Sequence, residues 1–417
     1  MRWWVLLRAV GSAALVALIA AVGTSCAGTA REARMQQRQE AQRAEVADYL
    51  PPEEISPDDP LYPYYADLTA GGARDAVRNG YAIAVQAIEM GRYEEAERVL
   101  DAMLLELEGS SAGDKAARRA RSKFHKEEAK RFRGEPYEQA MIFLLRGLLY
   151  MREGDYENAR AAFRSGALVD RSSLDAPPEE QYQDDLAEMD YLEGLCNLLL
   201  GDYRAGECFE RARENARHAG AVMDPPEDFN TIAVFFSGKG PAKYKSGQYG
   251  EILRFSPGDG AGGAVELAVN GQVTANAPGP LDNMTFQATT RGNREVDGIL
   301  RGKAIFKTGT GLAGVAAVTT GTALIPTATQ HQNDAALGAG IGLILAGLVA
   351  TGVSAATKPD ADVRAIRPIP DDIYVFPMRL EPGENMLEFR DFGRSNTVER
   401  RVEHPGGGLK VVIVWNQ

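Results

Sequence analysis

The sequence predicts a chain that is mainly α in its N-terminal half, built from irregular helical repeats, and α+β in its C-terminal half, with a Gly/Ala-rich helical hairpin. Three observations carry this. GRYEEA (91–96), GDYENA (154–159) and GDYRAG (201–206) repeat a Gly-x-Tyr turn between helical patterns. From about Pro225 onward, short apolar runs broken by Gly and Pro replace that periodicity. Two segments rich in Gly and Ala, 309–326 and 336–355, then lie in tandem before the last strand-like runs. A length of 417 residues with 44% hydrophobic and 25% charged residues is that of an ordinary globular chain with room for two or three domains. The divisions expected are a leader at 1–25, a tether and extended loop at 26–70, a helical-repeat domain at 71–222, and an α+β domain at 223–417 whose hairpin spans about 299–356.

The N-terminus has Arg2 and Arg8 in a positive region, a short apolar run Ala9–Val22, and small residues leading to Cys26. This is the layout of a secretory signal peptide, too short and wrongly flanked for a permanent span. Small residues directly before a Cys resemble the lipobox of bacterial lipoproteins, although Gly23 stands where Leu is usual. The resemblance implies cleavage before Cys26 and its modification by acyl chains such as palmitate. Several chains on one residue satisfy the rule that stable anchoring takes more than one. Ala27 in place of Asp implies, by the sorting rule of such lipoproteins, the outer membrane, with the body facing the periplasm. Residues 27–50 read as a polar spacer, and 51–72, with its prolines and tyrosines, as an extended loop laid on the first helices.

In the middle repeat, Gly147 and Ala159 lie twelve residues apart. That spacing puts them on facing surfaces of two antiparallel helices and lets the backbones approach. Tyr150, Tyr156 and Phe163 fill the space around the contact, and Gly154 ends the first helix. This pattern resembles the tetratricopeptide repeat. In the first copy, Ala84 and Ala96 take the small-residue positions around Gly91 and Tyr93, with Leu100 in place of the aromatic. In the third, Gly194 pairs with Ala205 and Phe209 around Gly201 and Tyr203, at a spacing of eleven, so that hairpin is one residue short. The turns stand 63 and 47 residues apart, against about 34 in a regular array. The family implication is a protein-binding scaffold; the plain alternative is that the hairpins only build a body.

The second half begins with the strand-like runs TIAVFF, GEILRF and AVELAV, and closes with alternating apolar residues around PGEN (382–385) and PGGG (405–408), expected to mark hairpin-linked strands. FRGEPYE (132–138) before the middle repeat and ADVRAIRPIP (361–370) before the last strands resemble motifs of a family of Gram-negative envelope lipoproteins of unassigned function that carry tetratricopeptide repeats. Ala361, Asp362, Arg364 and Pro370 match that family's pattern, while Ile366 and Ile369 replace its Trp and Leu. Genes of such proteins often lie beside those of lipoproteins that resemble activators of penicillin-binding proteins, which implies work at the cell wall or outer membrane. Asp362 and Arg364 are expected to form a structural ion pair that pins the turn into the last strands.

A net charge of −12 argues against nucleic acid as a partner. The stretch 115–133, with nine Lys/Arg against two Glu, is the local exception. It reads as a solvated helix face or as a dock for an acidic partner. His125, His218, His331 and His404 show no zinc-ligand spacing, and there is no HExxH, CxxC or Gly-x-Ser-x-Gly. GTGLAG (309–314) fits GxGxxG, but the residues up to Asp334 make a poor second strand. No cofactor or metal is expected, and no enzyme. Cys196 and Cys208 are expected as buried free thiols, a bridge being the alternative. The uncharged run at 337–355, with Gly338 and Gly342 four apart, is expected to pack on its own domain rather than enter a membrane. The expected function is a non-enzymatic envelope scaffold that binds other envelope proteins, lipoproteins among them. The rival is an oligomeric, membrane-active component whose Gly-rich hairpins form a ring or pore.

Overall fold

The structure, a computed structural model, describes residues 35, 37, 39–108, 131–171, 186–218, 220–248, 250, 252–289 and 361–417. Cys26, the Gly/Ala-rich segments at 309–356, His125, His331, and all of the basic stretch before Arg131 lie outside these residues. Among the described residues, no helix is long and apolar enough to cross a membrane.

Helices occupy the N-terminal half and sheets the C-terminal part. A helical segment over 39–45 and a short 3-10 turn, Ala47–Tyr49, precede α1 (Tyr62–Gly71). Three antiparallel pairs follow: α2 (Ala76–Glu89) with α3 (Tyr93–Glu108), α4 (Pro136–Glu153) with α5 (Tyr156–Arg171), and α6 (Ala187–Leu199) with α7 (Ala205–Asn215). The strand-rich part holds β1 (Thr231–Ser237), β2 (Ala242–Ser246), β3 (Ile252–Ser256), β4 (Val265–Val269), β5 (Gln272–Ala277) and β6 (Asp282–Asn283). A short helix α8 (Met284–Thr289) follows, and then β7 (Asp372–Met378), β8 (Gly383–Asp391), β9 (Asn396–His404) and β10 (Lys410–Asn416).

The strands form a central sheet in the order β10-β1-β7-β6, an outer sheet in the order β5-β4-β8-β9, and the separate hairpin β2-β3. β1 runs parallel to β10 and antiparallel to β7, while every pair of the outer sheet is antiparallel. β1 and β7 are buried along their whole length, so they read as continuous apolar runs and not as alternations. The reason is that the central sheet has two covered faces. Ile232, Val234, Phe236, Ile373, Val375 and Val411 point into the helices and belong to the same apolar cluster as Tyr81, Leu145 and Phe163. Ala233, Phe235, Tyr374, Phe376, Val412 and Val414 point the other way, onto Leu267, Leu387 and Phe389 of the outer sheet. Phe235 stacks on Phe389 with ring centroids 4.8 Å apart. The layers are thus helices, central sheet and outer sheet.

The turns at PGEN and PGGG differ from the expectation. They do not close hairpins: each carries the chain between sheets, from β7 to β8 and from β9 to β10. Alternation along each strand is real, but it cannot say which sheet a strand joins. β7 is claimed by β1, and β8 by β4 and β9. The hairpin loop lies instead at 392–395, between β8 and β9.

Candidate functional site

Each of the three Gly-x-Tyr turns closes in the same way. Gly91, Gly154 and Gly201 take φ of 73°, 80° and 69°, the left-handed conformation that disfavours a Cβ. Their amides donate to the carbonyls of Ile88, Met151 and Leu198, and the next amides, of Arg92, Asp155 and Asp202, donate to Ala87, Tyr150 and Asn197. This doubled pattern is the Schellman motif, which satisfies the last carbonyls of a helix. The chain then reverses into the next helix.

At two of these helix contacts a glycine faces an aromatic ring. A Cβ on Gly147 would intrude on the Phe163 ring, and one on Gly194 would lie 2.6 Å from the Phe209 ring. Ala84, Ala96, Leu100, Ala159 and Phe163 are fully buried, and Ala205 nearly so. Tyr93, Tyr150, Tyr156 and Phe209 are partly buried against the same core. Arg152 lies over the Tyr93 ring at 3.8 Å and Arg146 over Tyr150 at 3.6 Å. The third turn differs. Tyr93 and Tyr156 are the first residues of their helices, whereas α7 starts two residues after Tyr203. Tyr203 is left 88% exposed, with Leu198 and Leu200 also open beside it. Cys196 and Cys208 are buried free thiols. Burial pushes both up, and the Cys208 sulfur accepts from Asn197 Nδ2 at 3.3 Å and Arg211 Nη2 at 3.4 Å.

The two family-like motifs meet in space. FRGEPYE forms the loop into α4, where Pro136 is the first helical residue and Glu135 and Glu138 form a capping box. Glu138 Oε2 accepts from the Glu135 amide at 2.6 Å and from Lys243 Nζ, on β2, at 2.5 Å. Its Oε1 accepts from the Ile366 amide at 3.0 Å, and Lys243 also donates to the Arg364 carbonyl at 2.9 Å. Both charged side chains are buried. Burial drives the Glu138 carboxyl up, opposed by Lys243 and the Glu135 amide.

Arg364 forms the outer side of this clasp. It pairs with Asp362, at 2.6 Å, and also with Asp75 at the start of α2, at 2.9 Å. Burial opposes its charge, but Asp362 and Asp75 raise its pKa. Burial likewise raises Asp75, yet hydrogen bonds from Arg74 and Arg364 hold it below the usual carboxylate range. The Phe132 ring lies between the cations, 5.4 Å from Lys243 Nζ and 5.3 Å from the Arg364 guanidinium, and its amide donates to the Arg74 carbonyl. The clasp therefore joins α2, α4, β2 and the 361–370 segment through matched charges, a fixing role and not one that presents a reacting group.

Sequence reasoning placed Asp362 and Arg364 together but missed Asp75, Glu138 and Lys243. Glu138 was legible as the closing residue of a capping box. Lys243 carried no local signal. A second polar cluster was also missed. Asp371 accepts from the Thr285 amide and hydroxyl and from the Gly260 amide, and Asp372 from the Gly262 amide and Asn283. Glycine is needed at 260 because a Cβ there would lie 2.7 Å from Asp371. Burial raises Asp372 to about 6. Among the described residues, no group of His, Cys, Asp and Glu has the arrangement to hold a metal ion. Comparison of the chain with protein-family models, with curated proteins and with solved structures returned no match.

Proposed function

We propose that the chain is an exported lipoprotein, anchored through Cys26, that works without catalysis as a scaffold binding other envelope proteins through its helical hairpins. The observation that carries the reading is the stack of three hairpins with one turn geometry, tetratricopeptide-like in its Gly/Ala-to-aromatic contacts. The turn of its third hairpin leaves Tyr203 uncovered, with Leu198 and Leu200 also exposed. Large apolar side chains left in water at one turn are what a partner surface requires. The leader-like sequence before Cys26 supports the location.

Two measurements on cells test the reading. Cys26→Ser is expected to move the protein out of the membrane fraction and to block its processing. A photo-crosslinking residue at position 203 is expected to give a discrete adduct with an envelope protein, lost when Leu198 and Leu200 are changed to Ser. Unchanged fractionation and processing of Cys26→Ser would refute the anchor. Absence of any adduct specific to position 203 would refute the scaffold surface.

A further inference from the structure

We propose that the groove between the 39–45 helical segment, the 50–55 loop and α1 is a docking site for a cationic amphipathic helix of a partner protein. The groove encloses about 940 Å³, room for about two turns of a helix ~10 Å across. Its floor is apolar. α1 uses Tyr65 and Leu68 to pack inward, and leaves Tyr62, Ala66 and Ala70 exposed at four-residue spacing. Residues four apart form one ridge of a helix, and two alanines in that ridge let a second backbone come close. Leu50 and Ile55 continue the apolar floor from the loop side.

The wall opposite α1 touches the end of that helix at two points. Gln42 Nε2 donates to the Ala70 carbonyl at 3.4 Å, and the Ala73 amide donates to Glu45 at 3.5 Å. Gly72, at φ 57°, lies against both side chains, 3.5 Å from Gln42 and 3.4 Å from Glu45 where a Cβ would stand.

Charge selects the occupant. Glu40, Glu53 and Glu54 line the groove, all exposed, and make no ion pair among the described residues; Arg43 is the one cation among the described lining residues. Three carboxylates to one guanidinium among the described lining residues, over an apolar floor, fit a helix with Leu-like residues on one face and Lys or Arg beside them. The same carboxylates repel the anionic headgroups of a membrane surface, so lipid is not the occupant.

This inference rests on the scaffold reading, and its test is separable from it because it reads the groove and neither Cys26 nor Tyr203. The purified chain is titrated into a fluorescein-labelled amphipathic Leu/Lys helix of about four turns, followed by anisotropy. Parallel titrations use a Leu/Glu helix of the same pattern, vesicles with anionic lipid, and a peptide of residues 115–133. Binding of the Leu/Lys helix is expected, weakened at least tenfold by Ala66→Trp, which fills the groove from an exposed position. The double change Glu53→Lys, Glu54→Lys is expected to weaken it about tenfold at low salt and less at high salt. Equal binding of the Leu/Glu helix, or full affinity in the Ala66→Trp chain, overturns the proposal. So does vesicle binding abolished by Ala66→Trp, which would make the occupant a membrane. Equally tight binding of the 115–133 peptide would overturn it too, since the chain would then be its own ligand. Adducts at position 203 that persist while the peptide fails to bind would leave the scaffold reading standing without this groove.

Discussion

Gly147 and Gly154 stand seven residues apart on the same hairpin and fail for different reasons when given a side chain. At Gly147 the obstacle is the Phe163 ring, itself fully buried and unable to retreat. Ala would gain about 1 kcal/mol of helix propensity and lose about 1–3 kcal/mol to overpacking, so Gly147→Ala is expected to lower stability by up to about 2 kcal/mol in urea unfolding. Adding Phe163→Leu should make the Gly147→Ala step cheaper, which a double-mutant cycle reads. Gly154 meets nothing within 4 Å but sits at φ 80°, so Gly154→Ala is expected to cost about 1–2 kcal/mol through the backbone alone, whatever residue 163 is. A third residue acts through pH. Glu97 is raised to about 7 by burial, by a hydrogen bond with Glu153 and by the charge of Glu153. A carboxyl raised on folding favours the folded state fully below its ordinary pKa of 4.5 and loses that contribution as pH climbs through about 7. Glu97→Gln, which keeps a donor toward Glu153, is therefore expected to be more stable than the parent at pH 8 and no more stable at pH 4. Thermal melts at the two pH values check the sign. Gly147 and Phe163 could be set around one contact from the sequence because both lie within one hairpin, where spacing along two antiparallel helices limits who can meet. Glu97 and Glu153 were not, since their contact depends on how two hairpins are set against each other.

At the scale of elements, the clasp decides how α4 meets β2. Glu138 and Lys243 lie 105 residues apart and share one enclosed ion pair. Removing one partner strands a charge without water, which costs about 3–5 kcal/mol, whereas replacing both with apolar residues of similar size is often nearly neutral. Lys243→Met alone is expected to lower the urea midpoint sharply, and Glu138→Leu with Lys243→Met to recover much of the loss. A double variant as unstable as the single one would show that the remaining Glu138 bonds, to the Glu135 and Ile366 amides, carry the joint instead. The helices and strands themselves were largely legible. Gly at the turns, Pro136 at a helix start, and runs such as TIAVFF each have a local cause. What escaped was the assignment of strands to sheets: PGEN and PGGG supply a reversal, but whether the next strand pairs or crosses over depends on a neighbour supplied from far along the chain. β10, for example, pairs with β1, whose register joins Thr231 to Lys410.

At the scale of the molecule, the decisive feature is that one apolar cluster runs from the helices through one face of the central sheet. Phe236 on β1 is fully buried within it, and Trp415 on β10 packs against Phe236 with ring centroids 5.1 Å apart. The change of texture near Pro225 marks where helices give way to strands, but a shared core is invisible to composition because it arises only when the two parts are laid together. It has a thermodynamic consequence. If the helices lost the sheet, Phe236, Ile373 and Val411 would leave apolar surface open on both sides, so neither part is expected to outlast the other. A chain lacking residues 1–25 also lacks Trp3 and Trp4, which leaves Trp415 as its one tryptophan. Fluorescence then reports the strand side of the core, and far-UV circular dichroism near 222 nm reports chiefly the helices. Coincident urea transitions by the two probes are expected, as for a two-state unit. Phe236→Ala, which opens a cavity costing about 3–5 kcal/mol, is expected to shift both midpoints downward together. Were the fluorescence midpoint alone to fall, with the helical signal unmoved, the helices would be stable without the sheet and the shared core would not couple the two parts.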